Sequence, residues 1–294
     1  MEIKTIGFVG VGTMGRGMVK NLAKSGFKVL AYNRTKEKII DMKSDNISVV
    51  DSIRGACQGD IVVTCLPDDK AVEDAVFGKE GIMKNIKGKV FVDCGTTSIE
   101  MTKKLNGACN KKKIEFLDAP ITGSKLGAEA GTMTIMVGGK KEVFDRCLGV
   151  FKAMGKTHVY CGPVTYGQKA KLALQMAQAM ILESYLECVV FAVKNDVPLE
   201  AMERIMENSA AKNGVGMFKM QYIKKRDFEP HFMLKLMHKD LSLAEKEMKR
   251  LGMDLPLAKH IREVFEKSMG RGEEDVSAIV KELEKKAGIE LRES

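Results

Sequence analysis

The chain has 294 residues, which suits two domains of ordinary size or one large one. Hydrophobic residues make up 45% and charged residues 30%, a balance that excludes disordered, collagen-like and low-complexity chains. The net charge of +9 is diffuse, with no basic run longer than three residues, so we expect no nucleic-acid partner. The seven cysteines form no CxxC pair, and the first residues carry no export pattern. We therefore expect reduced thiols, no metal site, no membrane association and a cytoplasmic location.

Short β-rich runs alternate with helical patterns over the first half of the chain. The predicted strands are 5–9, 28–32, 61–66, 90–93, 115–118, 132–137 and 158–161. The predicted helices between them include 14–25, 36–42, 99–112 and 142–154. This alternation is typical of a parallel sheet with crossover helices. We predict an α/β fold in which residues 1–163 form a Rossmann-type, doubly wound sheet domain.

The character of the sequence changes after Gly162-Pro163, where β-branched runs stop and helical periodicity continues to the end. We predict an all-helical domain over residues 164–294. Its first helix, at 167–194, is apolar on most faces, so we expect it to be buried between the domains or in a subunit interface. A homodimer or homotetramer is the expected assembly.

A glycine-rich turn follows the first predicted strand. Gly10, Gly12 and Gly15 form a G-x-G-x-x-G motif that opens a helix. In that context the first glycine permits a tight turn, the second lets a pyrophosphate approach the backbone, and the third lets helix pack on strand. The helix N-terminus adds unpaired N–H groups. We predict a dinucleotide site formed by Gly10, Val11, Gly12, Thr13, Met14 and Gly15.

The end of the second predicted strand indicates which dinucleotide is bound. An NAD site usually has an acidic residue there, whereas this chain has Asn33, Arg34 and Thr35. Neutral Asn33 does not repel a 2′-phosphate, Arg34 offers it a planar fork, and Thr35 offers a hydroxyl. We predict NADP as the cofactor, with NAD possible. The alternative is that Arg34 is a solvated turn residue and Thr35 the N-cap of the next helix.

Two further segments carry groups that hydride transfer requires. The run 118–124 contains hydroxyls and a glycine whose backbone N–H groups could hold a carboxylate. Lys171 follows a glycine turn at the start of the apolar helix, where it could act as a proton donor. The alternative is that Lys171 is an ordinary surface lysine.

In these ordered motifs the chain resembles the β-hydroxyacid dehydrogenase family, which includes 3-hydroxyisobutyrate dehydrogenases, tartronate semialdehyde reductases and glyoxylate/succinic semialdehyde reductases. The resemblance covers nearly the whole chain and rests on the GxGxMG run at 10–15, Leu66-Pro67, the run 118–124 with the segment 127–132 after it, Lys171, and Lys239-Asp240-Leu241. It implies an NAD(P)-dependent oxidoreductase that interconverts a small β-hydroxy acid and its semialdehyde or oxo acid. It also implies residue roles: Thr122, Gly123 and Ser124 on the substrate carboxylate, Lys171 as general acid/base, Lys239 beside nicotinamide and substrate, and Leu66, Pro67 and Thr96 on the cofactor.

Two positions depart from the family pattern. Gln175 stands where the family commonly has Asn, one helical turn after Lys171, so we expect Gln175 to bind substrate with a longer side chain. Gly95-Thr96 replaces Ser-Thr, which leaves Thr96 as the nicotinamide-side contact. The run Gly123-Ser124-Lys125 favours the glyoxylate/succinic semialdehyde reductase branch. Two alternatives stay open: a non-catalytic nucleotide-binding interaction module, and a decarboxylating enzyme like 6-phosphogluconate dehydrogenase.

Overall fold

A computed structural model describes residues 2–293 of the chain. The chain forms two compact units, one ending at Lys171 and the other beginning at Leu172. The first contains a mixed sheet with flanking helices and the second is helical, which confirms the predicted fold class. The domain boundary at residues 163 and 164 stays a prediction.

The sheet of the first unit has the strand order β3-β2-β1-β4-β5-β6-β8-β7, and β9 pairs with β8. The first six strands in that order are parallel and have the 3-2-1-4-5-6 arrangement of a dinucleotide-binding sheet. Strands β6 and β7 run antiparallel to β8. The strands are β1 Thr5–Val9, β2 Lys28–Tyr32, β3 Ile47–Val49, β4 Ile61–Thr64, β5 Val90–Asp93, β6 Glu115–Asp118, β7 Ile121–Thr122, β8 Met133–Gly139 and β9 Gly155–Gly162.

Helices cover both faces of this sheet, as its central sequences require. The run of β4, Ile-Val-Val-Thr, is buried at every position, which is the pattern of a parallel strand packed on both sides. Side-chain caps fix several helix starts; Ser98, for example, accepts a hydrogen bond from the N–H of Met101 at 3.0 Å. The helices of this unit are α1 Thr13–Lys24, α2 Ile53–Ala56, α3 Asp69–Phe77, α4 Ile82–Asn85, α5 Ile99–Lys111, α6 Ser124–Ala130 and α7 Lys141–Met154.

Local details differ from the sequence predictions where short elements are involved. The predicted helix at 36–42 is two short 3-10 helices, Lys36–Lys38 and Ile40–Met42. The strand predicted at 61–66 ends at Thr64, because the chain turns away at Cys65 to form a loop. Strands β3 and β7 were not predicted, since runs of three and two residues carry too little periodicity.

The long helix α8, Tyr166–Lys194, starts in the first unit and continues into the second. It is followed by α9 Leu199–Glu207, α10 Gly214–Ile223, α11 Leu234–Arg250, α12 Pro256–Lys267 and α13 Val280–Ala287, with 3-10 turns at Met269–Arg271 and Val276–Ile279. Their core gathers aliphatic side chains of α8 with Met220, Leu241, Phe265 and Ile279. As predicted, α8 ends ahead of Pro198, which precedes the first residue of α9.

One face of α8 is exposed in the single chain. Ala173, Ala177, Ile181, Cys188 and Phe191 recur at helical spacing along it, and Phe191 is 72% exposed. The single chain therefore leaves one face of α8 uncovered, and the expected burial of this helix in a subunit interface stays a prediction. By length and composition α8 could cross a membrane, and 44% of its most apolar window is buried inside the structure. One such helix is weak evidence of a span.

Candidate active site

Five parallel strands end in register at one edge of the sheet. Val9 lies opposite Tyr32 and Thr64, Thr64 opposite Asp93, and Asp93 opposite Asp118. The loops that follow these strands therefore start side by side. In open α/β sheets the carboxyl edge, at the point where strand order reverses, is where ligands bind. The dinucleotide motif, the 33–35 segment, Leu66-Pro67 and Gly95-Thr96 all lie on these loops.

The three motif glycines are required for different reasons. Gly10 has φ +96°, and a Cβ there would lie 2.4 Å from the Cys65 carbonyl oxygen. A Cβ at Gly15 would lie 2.4 Å from the Gly10 carbonyl oxygen. Gly12 is exposed and precedes the first turn of α1, and a Cβ there would meet no atom within 4 Å. The open space at Gly12, in front of the N–H groups of α1, fits a pyrophosphate.

The segment after β2 presents polar groups to solvent. The Asn33 side-chain amide donates a hydrogen bond to the Thr35 carbonyl oxygen at 2.9 Å and so fixes the turn. Arg34 is exposed and makes no hydrogen bond or ion pair with another of residues 2–293. Thr35 precedes a 3-10 helix, but its side chain makes no capping hydrogen bond. The alternative role of Thr35 as a side-chain N-cap is thus not observed.

The loops after β4 and β5 approach each other closely. A Cβ at Gly95 would lie 2.7 Å from the Leu66 carbonyl oxygen, so a serine in the usual family position would clash with this backbone. The Leu66 side chain in turn lies beside Gly10, where a Cβ would come within 2.8 Å of it. The predicted cofactor residue Leu66 therefore lies next to the glycine motif, and Pro67 and Thr96 are the sequence neighbours of Leu66 and Gly95.

Asp93, at the end of β5, is fully buried beneath these loops. Its carboxylate accepts hydrogen bonds from the Thr64 hydroxyl at 2.8 Å and the Gly95 N–H at 3.2 Å. Burial raises the pKa of Asp93 to about 6, although the Thr64 hydrogen bond opposes the shift. Sequence reasoning gave this residue no role. Its position indicates that it supports the Gly95-Thr96 loop.

Thr122, Gly123 and Ser124 lie beyond the carboxyl edge of β6. Strand β8 extends past the end of β6, and Thr122 pairs with Thr134 on that extension. Gly123 has φ +142° and Ser124, the first residue of α6, has φ +57°. The predicted loop is thus a strand end followed by a helix start, and the Asn21 amide of α1 donates to the Ala128 carbonyl of α6 at 2.8 Å.

Asp118 binds the start of α8. Its carboxylate accepts hydrogen bonds from the N–H groups of Thr165 at 2.8 Å and Gln168 at 2.9 Å. Burial raises the pKa of the Asp118 carboxyl above its usual range, and these N–H groups oppose the shift. Lys171, one turn further along α8, is 5% exposed and is therefore not the surface lysine of the alternative interpretation.

Gln168 connects the first turn of α8 to the loop after β5. Its amide donates to the Gly95 carbonyl oxygen at 2.7 Å, and its side-chain oxygen accepts from the Thr97 N–H at 3.3 Å. Gln168 is fully buried, and its two hydrogen bonds join the segment that carries Lys171 to the segment that carries Thr96. The structure thus brings these two predicted site residues onto connected elements of the first unit.

Gln175 and Lys239 are joined in the second unit through Asp240. The Gln175 amide nitrogen donates to an Asp240 carboxylate oxygen at 2.6 Å, and the Lys239 ammonium lies 2.8 Å from the other oxygen. A carboxylate only accepts, so the –NH₂ group of Gln175 must face Asp240. Both Gln175 and Asp240 are buried.

Four residues of this arrangement were missed by sequence reasoning: Asp93, Asp118 in its contact with α8, Gln168 and Asp240. Asp93 ends a predicted strand next to the cofactor loops, and Asp240 stands inside the Lys-Asp-Leu motif, so both carried a positional signal. The sequence gives no such signal for Gln168, because its hydrogen-bond partners lie more than 70 residues away in the chain.

Comparison with known sequence families matches both parts of the chain. Residues 5–162 match the NAD binding domain of 6-phosphogluconate dehydrogenase, and residues 165–283 match the NAD-binding domain of NADP-dependent 3-hydroxyisobutyrate dehydrogenase.

Similar proteins align over nearly the full length. The chain is 32% identical to 2-(hydroxymethyl)glutarate dehydrogenase of Eubacterium barkeri over 291 residues, which cover 97% of each chain. It is 32% identical to glyoxylate/succinic semialdehyde reductase 1 of Arabidopsis thaliana, with 94% of this chain and 96% of that one aligned. Among solved structures, 3-hydroxyisobutyrate dehydrogenase of Mycobacterium tuberculosis superimposes with a TM-score of 0.85 at 26% identity, covering 96% of this chain and 99% of that one.

Proposed function

We propose that this chain, which belongs to the β-hydroxyacid dehydrogenase family, interconverts a small β-hydroxy acid and its semialdehyde or oxo acid with NADP as the preferred cofactor. The chain is an NAD(P)-dependent oxidoreductase, in keeping with the dehydrogenases and reductases that it matches over nearly its whole length. The substrate type proposed is that of 3-hydroxyisobutyrate, glyoxylate or succinic semialdehyde.

The observation that carries the proposal is the burial of Lys171 on a helix turn connected to the cofactor loops. The turn before it is bound by Asp118, and Gln168 links that turn to Gly95 and Thr97. A buried lysine held on such a support suits proton transfer at one defined position better than ion pairing at a surface.

The proposed residue roles are those that the family resemblance implies, and the chemistry of each group is consistent with its role. When bound, the nicotinamide cofactor would supply or accept the hydride. Lys171 gives a proton to the carbonyl oxygen in reduction and removes it in oxidation. Thr122, Gly123 and Ser124 hold the substrate carboxylate through hydroxyl and N–H donors. Gln175 and Lys239 contact the substrate, and Lys239 also contacts the cofactor.

The proposed preference for NADP rests on the segment after β2. Arg34 is exposed and has no partner among residues 2–293, so its guanidinium is available to a 2′-phosphate. Asn33 adds no charge that would repel that group. Across the edge, the N–H groups at the start of α1 are proposed to hold the pyrophosphate beside Gly12.

A kinetic assay of the purified chain tests this function. Glyoxylate, succinic semialdehyde, methylmalonate semialdehyde and tartronate semialdehyde are each offered with NADPH and with NADH. We expect turnover of at least one of them, faster with NADPH. Lys171→Ala should lower kcat by about 10² to 10⁴-fold and leave the Kd for NADPH nearly unchanged, because only proton transfer is lost.

Lys169→Ala is the matched control, since Lys169 is an exposed lysine on the same turn of α8 whose ammonium lies over the Tyr166 ring. This control should keep wild-type kcat. A Lys171→Ala variant that retains more than about a tenth of wild-type kcat would remove Lys171 from the proposed mechanism.

The exposed face of α8 leads to a proposed assembly. A second copy of the chain, in a homodimer or homotetramer, is proposed to cover Ile181 and Phe191, because exposed apolar side chains in a row are typical of subunit contacts. The proposed location is the cytoplasm, where the seven cysteines, all free in the structure, would stay reduced.

A further inference from the structure

The short loop between β9 and α8 contains a strained residue directly before the first residue of the helix. Thr165 has φ +83°, a conformation that a β-branched residue rarely adopts, and it is buried. Such a residue costs on the order of 1–3 kcal/mol and persists only where its surroundings hold it. The Asp118 carboxylate does so, since it accepts the Thr165 N–H at 2.8 Å.

The carboxylate is enclosed by backbone on both sides. A Cβ at Gly138 would lie 2.5 Å from Asp118 Oδ1, and a Cβ at Gly167 would lie 2.9 Å from Oδ2. Glycine at both positions therefore leaves the space that the Asp118 carboxylate occupies. Its second oxygen accepts the Gln168 N–H at 2.9 Å, so both oxygens are committed to the start of α8.

A second contact fixes the same turn from another side. The Gln168 side chain makes one hydrogen bond as donor, to the Gly95 carbonyl, and one as acceptor, from the Thr97 N–H. The two contacts restrain both the axial position and the rotation of the first turn of α8. Lys171 lies three residues after Gln168 on the same helix, so the position from which its side chain starts is restrained as well.

We propose that Asp118 and Gln168 are positioning residues that hold Lys171 at the point of proton transfer, by fixing the first turn of α8 to the carboxyl edge of the sheet. This inference rests on the proposed function of Lys171. A displacement of about 1 Å at a reacting group can lower a rate by about 10²-fold, so the restraint acts on turnover more than on binding.

The test is a double-mutant cycle with Asp118→Asn and Lys171→Ala. The asparagine keeps the size of the side chain, but its –NH₂ group cannot accept from a backbone N–H. In the wild-type background we expect Asp118→Asn to lower kcat by about 10 to 100-fold, with the KM for NADPH within about threefold. In the Lys171→Ala background the same change should alter kcat by less than about twofold, because the group being positioned is already absent.

Hydrogen exchange of the cofactor-free protein gives a second readout. Amides of residues 166–171 should exchange at least about tenfold faster in Asp118→Asn than in wild type. Asp60→Asn is the matched control. Asp60 accepts the backbone N–H groups of Lys4 and Thr5 at 2.9 and 2.8 Å, at the opposite edge of the sheet. That variant should change neither exchange at 166–171 nor kcat per folded molecule.

Equal losses of kcat in the two backgrounds would overturn the proposal, and so would an Asp118→Asn variant with wild-type kcat and exchange. If Asp118→Asn does not fold, Gln168→Ala takes its place in the same cycle and the same exchange measurement. If Lys171→Ala retains activity, the proposed function of Lys171 fails, while the exchange experiment still decides whether Asp118 fixes the helix start.

Discussion

Glu183 lies on the buried side of α8 and should make stability depend on pH. It is 6% exposed, and neither carboxylate oxygen has a hydrogen bond to another of residues 2–293. Burial, with a smaller contribution from the charge of Glu187, raises the pKa of Glu183 from 4.5 to about 7. The folded chain thus keeps this proton at a pH where the unfolded chain has released it. The free energy of unfolding should fall as the pH rises between these two values.

The size of the effect follows from the two pKa values. Relative to a carboxyl group that stays neutral in both states, the ionisation of Glu183 lowers the free energy of unfolding by on the order of 3 kcal/mol at pH 8. At pH 5 it lowers that free energy by less than about 1 kcal/mol. Glu183→Gln removes the charge and keeps the shape. We expect it to raise the free energy of unfolding by about 2–3 kcal/mol at pH 8 and to change it little at pH 5.

Urea unfolding followed by circular dichroism at pH 5, 6.5 and 8 measures this difference. Glu207→Gln is the control, because Glu207 is an exposed glutamate at the end of α9 whose charge does not contribute to the shift of the Glu183 pKa. A Glu183→Gln variant whose gain is the same at pH 5 and pH 8, or which is destabilised at pH 8, would refute the reasoning from burial.

The remaining predictions concern the cofactor segment and the second core. Arg34→Ala should raise the KM for NADPH by about 10 to 150-fold and leave that for NADH nearly unchanged, since a charge-assisted contact contributes about 1.5–3 kcal/mol. Asn33→Asp should likewise shift the cofactor preference from NADPH toward NADH. If steady-state kinetics of Arg34→Ala show equal rises in the KM for both cofactors, Arg34 is a turn residue only. Asp275→Ala should lower the free energy of unfolding by about 3–5 kcal/mol, because the buried Lys219 ammonium loses its partner at 2.8 Å. Lys219→Met should lower the free energy of unfolding by less in the same urea measurement. The Asp275 carboxylate would still accept hydrogen bonds from the backbone N–H groups of His231, Phe232 and Ser277.

Much of the sheet could be predicted because its signals are local. The strands at 5–9, 28–32, 90–93 and 115–118 have the predicted bounds, since buried parallel strands are continuous β-branched and aromatic runs between turns. Once those strands are parallel and adjacent, their ends must lie on one edge. The motif at 10–15 and the residues at 33–35 could therefore be assigned to one region from sequence alone.

The supports of the candidate site could not be predicted, because they depend on tertiary contacts. Gln168 bonds to Gly95 and Thr97, and Asp118 bonds to Thr165, across 47 or more residues of chain. Nothing in the local sequence distinguishes this glutamine from a solvated one. The exposed face of α8 could not be predicted for the same reason. Composition shows that a helix is apolar, but not which of its faces the same chain covers.

The glycine motif itself combines two constraints that only the structure separates. Gly10 and Gly15 are required by the chain's own backbone, which would clash with a Cβ at either position. Gly12 meets nothing within 4 Å, so a requirement for glycine there must come from a molecule that binds in front of it. Arg34 is in the same situation, since it contacts no described residue that would demand a guanidinium. Both positions lie at an edge where ligands bind, and the fold itself does not constrain the residue there. Substitutions at these positions can therefore test cofactor choice without disturbing the fold.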